Sequence, residues 1–191
     1  MSACRSGDVV WDVGANIGHY AQSFSKSVGV SGKVFAFEPG LANLSQLRSA
    51  CGGTQNVEIC DFGLSDKSER RRFLQGSDSS TWRVLLPDES VAEAVTEVDL
   101  RTGDDVIQSG RAASPNLIKI DVEGHELSVL KGLQLTLPVH SLRSIFIEVH
   151  FGILDSSGRA DDPRQIEDIL KRSGFKLNWT DPSHIFAFRA V

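Results

Sequence analysis

Short apolar runs alternate with amphipathic segments along most of the chain. The runs are rich in valine, isoleucine and phenylalanine, and they lie at residues 8–13, 33–37, 57–60, 116–121 and 144–148. Nearly continuous apolar runs of this length are typical of strands buried on both faces of a parallel sheet. The amphipathic segments predict helices at residues 19–28, 41–51, 126–133 and 162–173. This alternation predicts an α/β fold in which helices cover both faces of a doubly wound, mostly parallel sheet.

The C-terminal segment departs from this alternation. Two further apolar runs, at 176–179 and 184–189, are separated by the turn sequence Asp181-Pro182-Ser183. Aspartate, proline and serine favour tight turns because they fix or cap the local backbone. The pattern therefore predicts a C-terminal antiparallel hairpin.

One internal segment, residues 65–101, also breaks the rhythm. It is polar and contains possible short strands at 72–74 and 95–100. A segment of this length that lacks clear periodicity is usually functional or disordered. We therefore expect a single domain over residues 1–191 with an insertion, either a hairpin or a lid, at about 65–101.

The composition is that of an ordinary globular protein. The chain has 191 residues, of which 40% are apolar and 24% charged, and its formal net charge is −5. A negative net charge gives no general attraction to a phosphate backbone, so we expect no nucleic-acid partner. No apolar run reaches the ~18–20 residues of a membrane span, and the first residues lack the apolar core of a signal peptide. We therefore expect no membrane partner.

The cysteines indicate a reducing compartment. There are three of them, at positions 4, 51 and 60, and no Cys-x-x-Cys spacing occurs. An odd count without that spacing predicts neither a disulfide framework nor a thiolate zinc site. The expected location is the cytoplasm, and the sequence does not predict the oligomeric state.

A glycine-containing loop, Asp12-Val13-Gly14-Ala15-Asn16-Ile17-Gly18, joins the first predicted strand to the first predicted helix. Doubly wound folds bind ligands at this position, and glycine permits close approach of the backbone. A nicotinamide dinucleotide site requires a second glycine at the position of Asn16, because that glycine lets the backbone approach the pyrophosphate. The Asp12 carboxylate would repel a diphosphate but attract an ammonium group. The loop therefore favours S-adenosylmethionine, although its glycines could also serve only to let strand and helix pack closely.

Glu38 follows the second strand, in Phe37-Glu38-Pro39. It lies about 20 residues past the glycine loop, the spacing at which dinucleotide-binding folds place an acid on the ribose. A carboxylate there can accept hydrogen bonds from both ribose hydroxyls. An exposed glutamate without a binding role is the alternative.

Ionisable residues also cluster after the two later strands. Asp121 and Glu123 follow the fourth apolar run, and Glu148 and His150 follow the fifth. Carboxyl ends of parallel strands meet at one edge of a sheet, so these side chains are expected above the same crevice as the glycine loop. Carboxylates and a histidine that converge there could act as a general base or as metal ligands.

Other residues near this cluster are given structural roles. Glu126 suits the first turn of a helix, where a carboxylate complements the helix dipole. His125 lies among the acids along the chain, whereas His19, His140 and His184 have no clustered partners. For the lone histidines a structural role is the better interpretation, whereas His125, like His150, stands out because of its acidic neighbours.

Several segments resemble the FkbM family of methyltransferases. They are residues 10–20, Phe37-Glu38-Pro39, Leu64-Ser65-Asp66, residues 118–132 and Ile147-Glu148-Val149-His150, in the order found in the family. The resemblance covers roughly residues 8–151. It implies a class I, Rossmann-like fold, binding of S-adenosylmethionine, and methyl transfer to oxygen, typically a hydroxyl of a sugar or natural product. One departure is Gly103, where the family pattern has leucine.

The resemblance also divides the candidate residues between roles. The cofactor-binding candidates are Asp12, Gly14, Asn16 and Gly18 on the methionine side, Glu38 at the ribose, Asp61 and Phe62 at the adenine, and Asp121 beside the methionine moiety. The catalytic candidates are Asp121, Glu123, Glu148 and His150.

The leading interpretation is an S-adenosylmethionine-dependent O-methyltransferase that acts on a small hydroxylated acceptor. His150 is the preferred base and Asp121 the preferred positioning residue, and we favour a metal-free base over a bound Mg²⁺. One alternative is a non-catalytic Rossmann-like module that binds a nucleoside. A third interpretation, an NAD-dependent oxidoreductase, is weakened by Asn16.

Overall fold

The computed structural model describes residues 3–74, 83–85 and 95–189. The strands are β1 (Val9–Val13), β2 (Lys33–Phe37), β3 (Val57–Cys60), β4 (Gly63–Leu64), β5 (Glu69–Leu74), β6 (Arg83–Val84), β7 (Val95–Arg101), β8 (Leu117–Ile120), β9 (Ser144–Glu148), β10 (Lys176–Trp179) and β11 (His184–Phe188). The helices are α1 (His19–Val28), α2 (Leu41–Cys51), α3 (Gly103–Gln108), α4 (Glu126–Lys131), α5 (Phe151–Ser156) and α6 (Asp162–Arg172).

In the described part of the chain, seven strands form the main sheet, in the order β10-β11-β9-β8-β1-β2-β3. The neighbours from β9 through β8, β1 and β2 to β3 are parallel. Strand β11 runs antiparallel to both β9 and β10. The predicted mostly parallel sheet and the predicted C-terminal hairpin are therefore confirmed.

Side chains alternate between two cores, one on each face of the sheet. On β1, Trp11 and Val13 point into the larger core, which is completed by α3, α4 and α6. Val10 points into the smaller core beneath α1 and α2. Because successive strand residues face opposite sides, Asp12 shares the face of Val10. Helices therefore cover both faces, as the alternation of apolar runs and amphipathic segments predicts.

A second, smaller sheet is formed by β4, which directly precedes the segment predicted as an insertion, and by β5, β6 and β7 within that segment. Among the described residues its strand order is β4-β7-β5-β6, with β5 antiparallel to β7. Phe73, Val98 and Leu100 form a small core of their own. The predicted strands at 72–74 and 95–100 fall within β5 and β7, whereas the serine-rich stretch at 77–81 lies outside the described residues.

The short helices α3 and α5, of six residues each, lie outside the segments predicted as helical. Helix α3 begins after Thr102, whose side-chain oxygen accepts a hydrogen bond from the Asp105 amide at 3.0 Å. A Cβ at Gly103 would lie 2.3 Å from a methyl carbon of Leu133, so a larger side chain would fit at this position only if Leu133 moved. Within the described residues, no helix has the length and apolarity needed to cross a membrane.

Candidate active site

A cleft of about 270 Å³ lies at the carboxyl ends of the parallel strands. Its walls come from the glycine loop (residues 12–18) and from the segments that follow β2, β8 and β9. The small sheet supplies an apolar wall through Phe73, Val84 and Leu100. This is the edge of the sheet at which doubly wound folds bind their ligands.

The glycine loop lies against the ends of both neighbouring strands. The amides of Gly14 and Ala15 each donate a hydrogen bond to the Phe37 carbonyl at 3.0 Å. Gly14 has a φ of 78°, and a Cβ there would lie 1.8 Å from the Asp121 carbonyl oxygen. Only glycine permits both the left-handed backbone and this close approach.

Asp12 and Lys119 form a buried ion pair beneath the loop. They are register partners on the adjacent strands β1 and β8, and the Lys119 Nζ atom lies 3.3 Å from Asp12 Oδ1 and 3.2 Å from Asp121 Oδ2. Burial raises the pKa of Asp12, although the Lys119 ammonium opposes this. Burial alone would lower the pKa of Lys119, but the two carboxylates outweigh it and raise that pKa. Asp12 is fully buried and therefore supports the loop rather than forming the cleft wall.

Glu38 is held rigidly at the rim of the cleft. Its Oε2 atom accepts a hydrogen bond from the Asn16 amide at 2.9 Å, and its Oε1 atom accepts one from the Gly40 amide at 2.8 Å. Burial raises the pKa of Glu38, and these two hydrogen bonds act against the increase. Each carboxylate oxygen keeps lone-pair capacity for a further donor.

Two cleft-lining residues carry polar atoms that lack partners. The side-chain oxygens of Asn16 and Asn43 are buried and have no hydrogen-bond partner among the described residues. Asn16 also has a φ of 51°, in the left-handed region. Buried polar atoms are almost always satisfied, so these oxygens fit a ligand that brings hydrogen-bond donors.

His150 lines the same cleft and stands among three carboxylates. Its Nε2 atom lies 3.3 Å from Glu123 Oε2 and 3.6 Å from Asp121 Oδ1, and its Nδ1 atom lies 2.7 Å from Glu126 Oε1. Burial alone would lower the pKa of His150, but the hydrogen bond and charge of Glu126, with the charges of Glu123 and Asp121, raise it to about 9. The ring is thus favoured in its charged form at neutral pH.

Glu123 has an environment unlike that of an ordinary surface acid. Burial raises the pKa of Glu123 to about 7, and the charges of Asp121, Glu126 and Glu148 add to the increase while His150 opposes it. Its φ is 51°, which is uncommon for a residue other than glycine. The backbone thus holds this carboxylate over the cleft in a conformation that costs free energy.

The same cluster has the geometry of a possible cation site. Asp121, Glu123 and His150 each offer one ligand atom, and these atoms lie within 4.8 Å of one another. Oxygen ligands of this kind suit hard cations such as Mg²⁺. The geometry therefore accommodates either a base flanked by carboxylates or a metal ion.

Sequence reasoning missed the part played by Glu126. The side chain of this residue is fully buried and contacts His150, 24 positions further along the chain. The interpretation of Glu126 as a helix-dipole residue alone is incomplete, because its carboxylate points into the cluster. No local sequence signal distinguishes these two roles.

Two other histidines also have partners that the sequence did not reveal. His184, predicted to have none, lies 3.3 Å from Glu148 Oε2 and 2.9 Å from Asp181 Oδ1. The Nε2 atom of His125 lies 2.9 Å from the Ser65 hydroxyl, and burial lowers the pKa of His125 to about 4. His125 lines the cleft as a neutral ring.

Besides Asp12, three further cofactor-binding candidates do not lie in the cleft wall. Asp61 is exposed and pairs with Arg48 at 3.4 Å. Phe62 is buried in the larger core, with its ring 5.7 Å from that of Phe37. A Cβ on Gly18 would lie 2.8 Å from a methyl carbon of Leu47, so Gly18 serves close packing of α1 against α2. The structure brings the remaining candidates together around the cleft, directly or, for Asp12, through Lys119.

Sequence comparisons relate the chain to a methyltransferase domain family and to two curated proteins. The sequence model of the methyltransferase FkbM domain matches residues 12–177. The chain is 31% identical over 176 residues to the hexuronic acid methyltransferase AglP of Haloferax volcanii. This alignment covers 91% of this chain and 65% of that protein. It is also 31% identical over 208 residues to the AMB antimetabolite synthetase AmbE of Pseudomonas aeruginosa, covering 89% of this chain and 10% of that protein. The chain thus spans less than two thirds of the length of either relative.

Solved structures share the fold. A methyltransferase FkbM from Methylobacillus flagellatus superposes with a TM-score of 0.65 at 21% identity, covering 95% of this chain and 43% of that one. Fibrillarin from Aeropyrum pernix, solved with natively bound S-adenosyl-L-methionine, superposes with a TM-score of 0.58 at 11% identity, covering 98% of this chain and 68% of that one. At these identities the likeness concerns the fold.

Proposed function

The chain belongs to the FkbM methyltransferase family, and on this basis we propose that it transfers a methyl group from S-adenosylmethionine to a hydroxyl oxygen of a small molecule or sugar. One observation carries the proposal: Glu38 and Asn16 line the same cleft as the cluster of Asp121, Glu123 and His150. Under this proposal the cleft would hold the nucleoside of the cofactor and a proton acceptor side by side.

The residues around Glu38 fit the cofactor that the family implies. Glu38 is placed to accept hydrogen bonds from ribose hydroxyls, because its carboxylate is already oriented by two backbone amides. The unpartnered oxygens of Asn16 and Asn43 are further acceptors for ligand donors. Asp121 carries a carboxylate beside the glycine loop, where it would attract the α-ammonium group of the methionine moiety.

The chain's own contribution to the reaction is alignment and removal of one proton. When bound, S-adenosylmethionine would supply an electrophilic methyl group on a sulfonium centre. In its neutral form, His150 would accept the acceptor's hydroxyl proton at Nε2, as a general base does. The acceptor oxygen would take the methyl group as the carbon–sulfur bond breaks, and a neutral thioether would leave. Holding both reactants in one cleft would convert a bimolecular reaction into an intramolecular one.

The charge of the cleft favours a neutral hydroxyl over a carboxylate as the acceptor group. Asp121, Glu123 and Glu148 all line the cleft, and they would repel an acceptor carboxylate. The relative AglP is named for hexuronic acid, a sugar that carries both hydroxyl and carboxyl groups. We therefore propose sugar hydroxyls as the acceptor class for this chain.

The first test is ligand binding. Calorimetry is expected to show binding of S-adenosylmethionine and S-adenosylhomocysteine and none of NAD. The second test is transfer of labelled methyl from S-adenosylmethionine to a panel of neutral glycosides and matching uronic acids, with methyl ethers distinguished from methyl esters by their stability to mild alkali. Binding of NAD in preference to S-adenosylmethionine contradicts the assignment of the cofactor, and label found only in esters contradicts the assignment of the acceptor group.

A further inference from the structure

Glu126 and His150 form a hydrogen-bonded pair at the back of the proposed catalytic cluster. Glu126 Oε1 lies 2.7 Å from His150 Nδ1, and the Glu126 side chain is fully buried. We propose that Glu126 is a positioning residue, which holds the His150 ring in the tautomer that carries hydrogen on Nδ1 and leaves Nε2 open to the cleft. This inference rests on the proposed function for its consequence in catalysis, but not for its geometry.

The hydrogen bonds determine which ring nitrogen carries the hydrogen. The Glu126 Oε1 atom also accepts a hydrogen bond from the Gly124 amide at 2.9 Å, so this oxygen is an acceptor. The short contact with Nδ1 is therefore a hydrogen bond only if Nδ1 is the donor. In the neutral ring Nε2 then carries the lone pair, and it faces Glu123 and Asp121 at 3.3 and 3.6 Å.

The backbone at Gly124, two residues before Glu126, is held by residues that do not line the cleft. The Gly124 carbonyl accepts a hydrogen bond from Arg159 Nη1 at 2.6 Å. Gly124 has a φ of 85°, and a Cβ there would lie 2.8 Å from a methyl carbon of Ile153. The amide that holds the Glu126 carboxylate is thus itself held, and Glu126 can act as a rigid support for the ring. Carboxylates that orient a catalytic histidine in this way are known to fix its tautomer.

Several charged groups face His150, so a substitution of Glu126 can change the pKa of the ring without changing its orientation. Asp121 and Glu123 approach from the segment after β8, Glu126 from α4, and Glu148 precedes His150 by two residues; the Lys119 ammonium pairs with Asp121. Removing the charge of Glu126 should make the imidazolium form less favourable. Glutamine at position 126 would retain an acceptor oxygen for Nδ1, whereas alanine would remove both charge and acceptor.

The direct test follows the His150 ring by ¹⁵N NMR in EDTA-treated protein, with the signal assigned by its loss in H150Q. We expect neutral His150 to carry hydrogen on Nδ1 in the unmodified chain and in E126Q. We also expect the midpoint of its titration to fall by at least about one pH unit in E126Q. In E126A the preference for hydrogen on Nδ1 should disappear. A neutral ring that carries hydrogen on Nε2 in the unmodified chain, or an unchanged tautomer in E126A, overturns the inference.

A kinetic test adds the consequence for catalysis. E126A should lower kcat at least about tenfold while the KM of the acceptor stays within about twofold, and it should cause no further loss in an H150A background. In E126Q the rise of kcat with pH should move to lower pH. Additive losses in E126A and H150A overturn the proposed coupling.

The control is E167Q. Glu167 accepts a hydrogen bond from Trp179 Nε1 at 2.9 Å but does not line the cleft, so this variant should leave the NMR and kinetic readouts unchanged. A change in E167Q as large as that in E126Q would attribute the effect to the general loss of a carboxylate and would overturn the inference. If the chain binds no S-adenosylmethionine, the proposed function fails, while the NMR result still decides the role of Glu126.

Discussion

Lys119 donates a hydrogen bond from its ammonium group to the carbonyl oxygen of Gly14 over 2.9 Å. The same ammonium pairs with Asp12 and Asp121, so one buried cation connects β1, the glycine loop and the segment after β8. The Tyr20 ring lies 5.1 Å from the ammonium and adds a cation–π contact. Lys119 therefore links the glycine loop to the segment after β8, the two parts of the chain that form this side of the site.

Replacing Lys119 with methionine is expected to destabilise the fold strongly. Asp12 is fully buried, and its carboxylate has no conventional hydrogen bond among the described residues, so K119M leaves it without its counter-charge. Removal of one partner of a buried pair costs about 3–5 kcal/mol. Urea denaturation measures this as a lower free energy of unfolding.

The matched control for this variant is K33M. Lys33 pairs with Glu58 at 3.1 Å, but both side chains are more than a third exposed. An exposed pair contributes about 0–1 kcal/mol, so K33M should change the free energy of unfolding little. Equal losses in K119M and K33M would contradict the role given to Lys119.

Glu38 is expected to carry a large part of the affinity for the cofactor. A hydrogen bond to a charged group contributes roughly 1.5–3 kcal/mol, so E38A should weaken binding of S-adenosylhomocysteine about tenfold or more. Calorimetry on the folded variant measures this loss. E58A, which removes an exposed carboxylate from the neighbouring strand β3, serves as the control and should bind normally. Normal affinity in E38A would exclude Glu38 as the ribose ligand.

The sheet could be predicted well because its strands are buried on both faces. Runs such as 33–37 and 144–148 are nearly continuous in apolar residues, and the predicted bounds agree with β2 and β9. Six residues carry little periodicity, and of the six-residue helices α3, α4 and α5 only α4 was predicted from the sequence. Helix α3 also depends on a tertiary contact, since Asp104 accepts hydrogen bonds from the amides of Leu135 and Thr136.

The candidate site could be predicted only as far as strand topology determines it. Strand ends locate Glu38 and His150 at one edge of the sheet, and the structure places both at the cleft. The direction of a side chain is not encoded in that way. Phe62 lies two residues after the end of β3, yet its ring lies in the core. Glu126 lies in a helix, yet its carboxylate reaches His150.

The apolar wall contributed by the small sheet is expected to shape ligand affinity. F73A should raise the KM of the acceptor or the cofactor about tenfold, because a large buried side chain contributes roughly 1.5–3 kcal/mol through apolar contact. V98A is the control, since Val98 belongs to the same small core but does not line the cleft. Steady-state kinetics that change equally in both variants would assign the effect to the stability of the small sheet instead.

The protonation of His150 is expected to contribute to stability in a defined pH range. Its pKa is raised from 6.5 to about 9 in the folded protein, so the folded state binds the proton more tightly than the unfolded state. The resulting stabilisation is complete below about pH 6.5 and is lost as the pH rises through about 9. H150Q should therefore cost on the order of 2 kcal/mol more at about pH 6 than at about pH 9.5 in urea denaturation. An equal cost at both values would contradict a raised pKa.

The last prediction decides between a base and a metal ion at the cluster of Asp121, Glu123 and His150. If His150 is a general base, activity should survive EDTA, should rise with pH toward about 9, and should fall at least about a hundredfold in H150A. D121N should chiefly weaken binding of S-adenosylmethionine. If the cluster holds a divalent cation, EDTA should abolish activity, Mg²⁺ should restore it, and D121N should respond to added Mg²⁺. Full activity in both variants would exclude both roles.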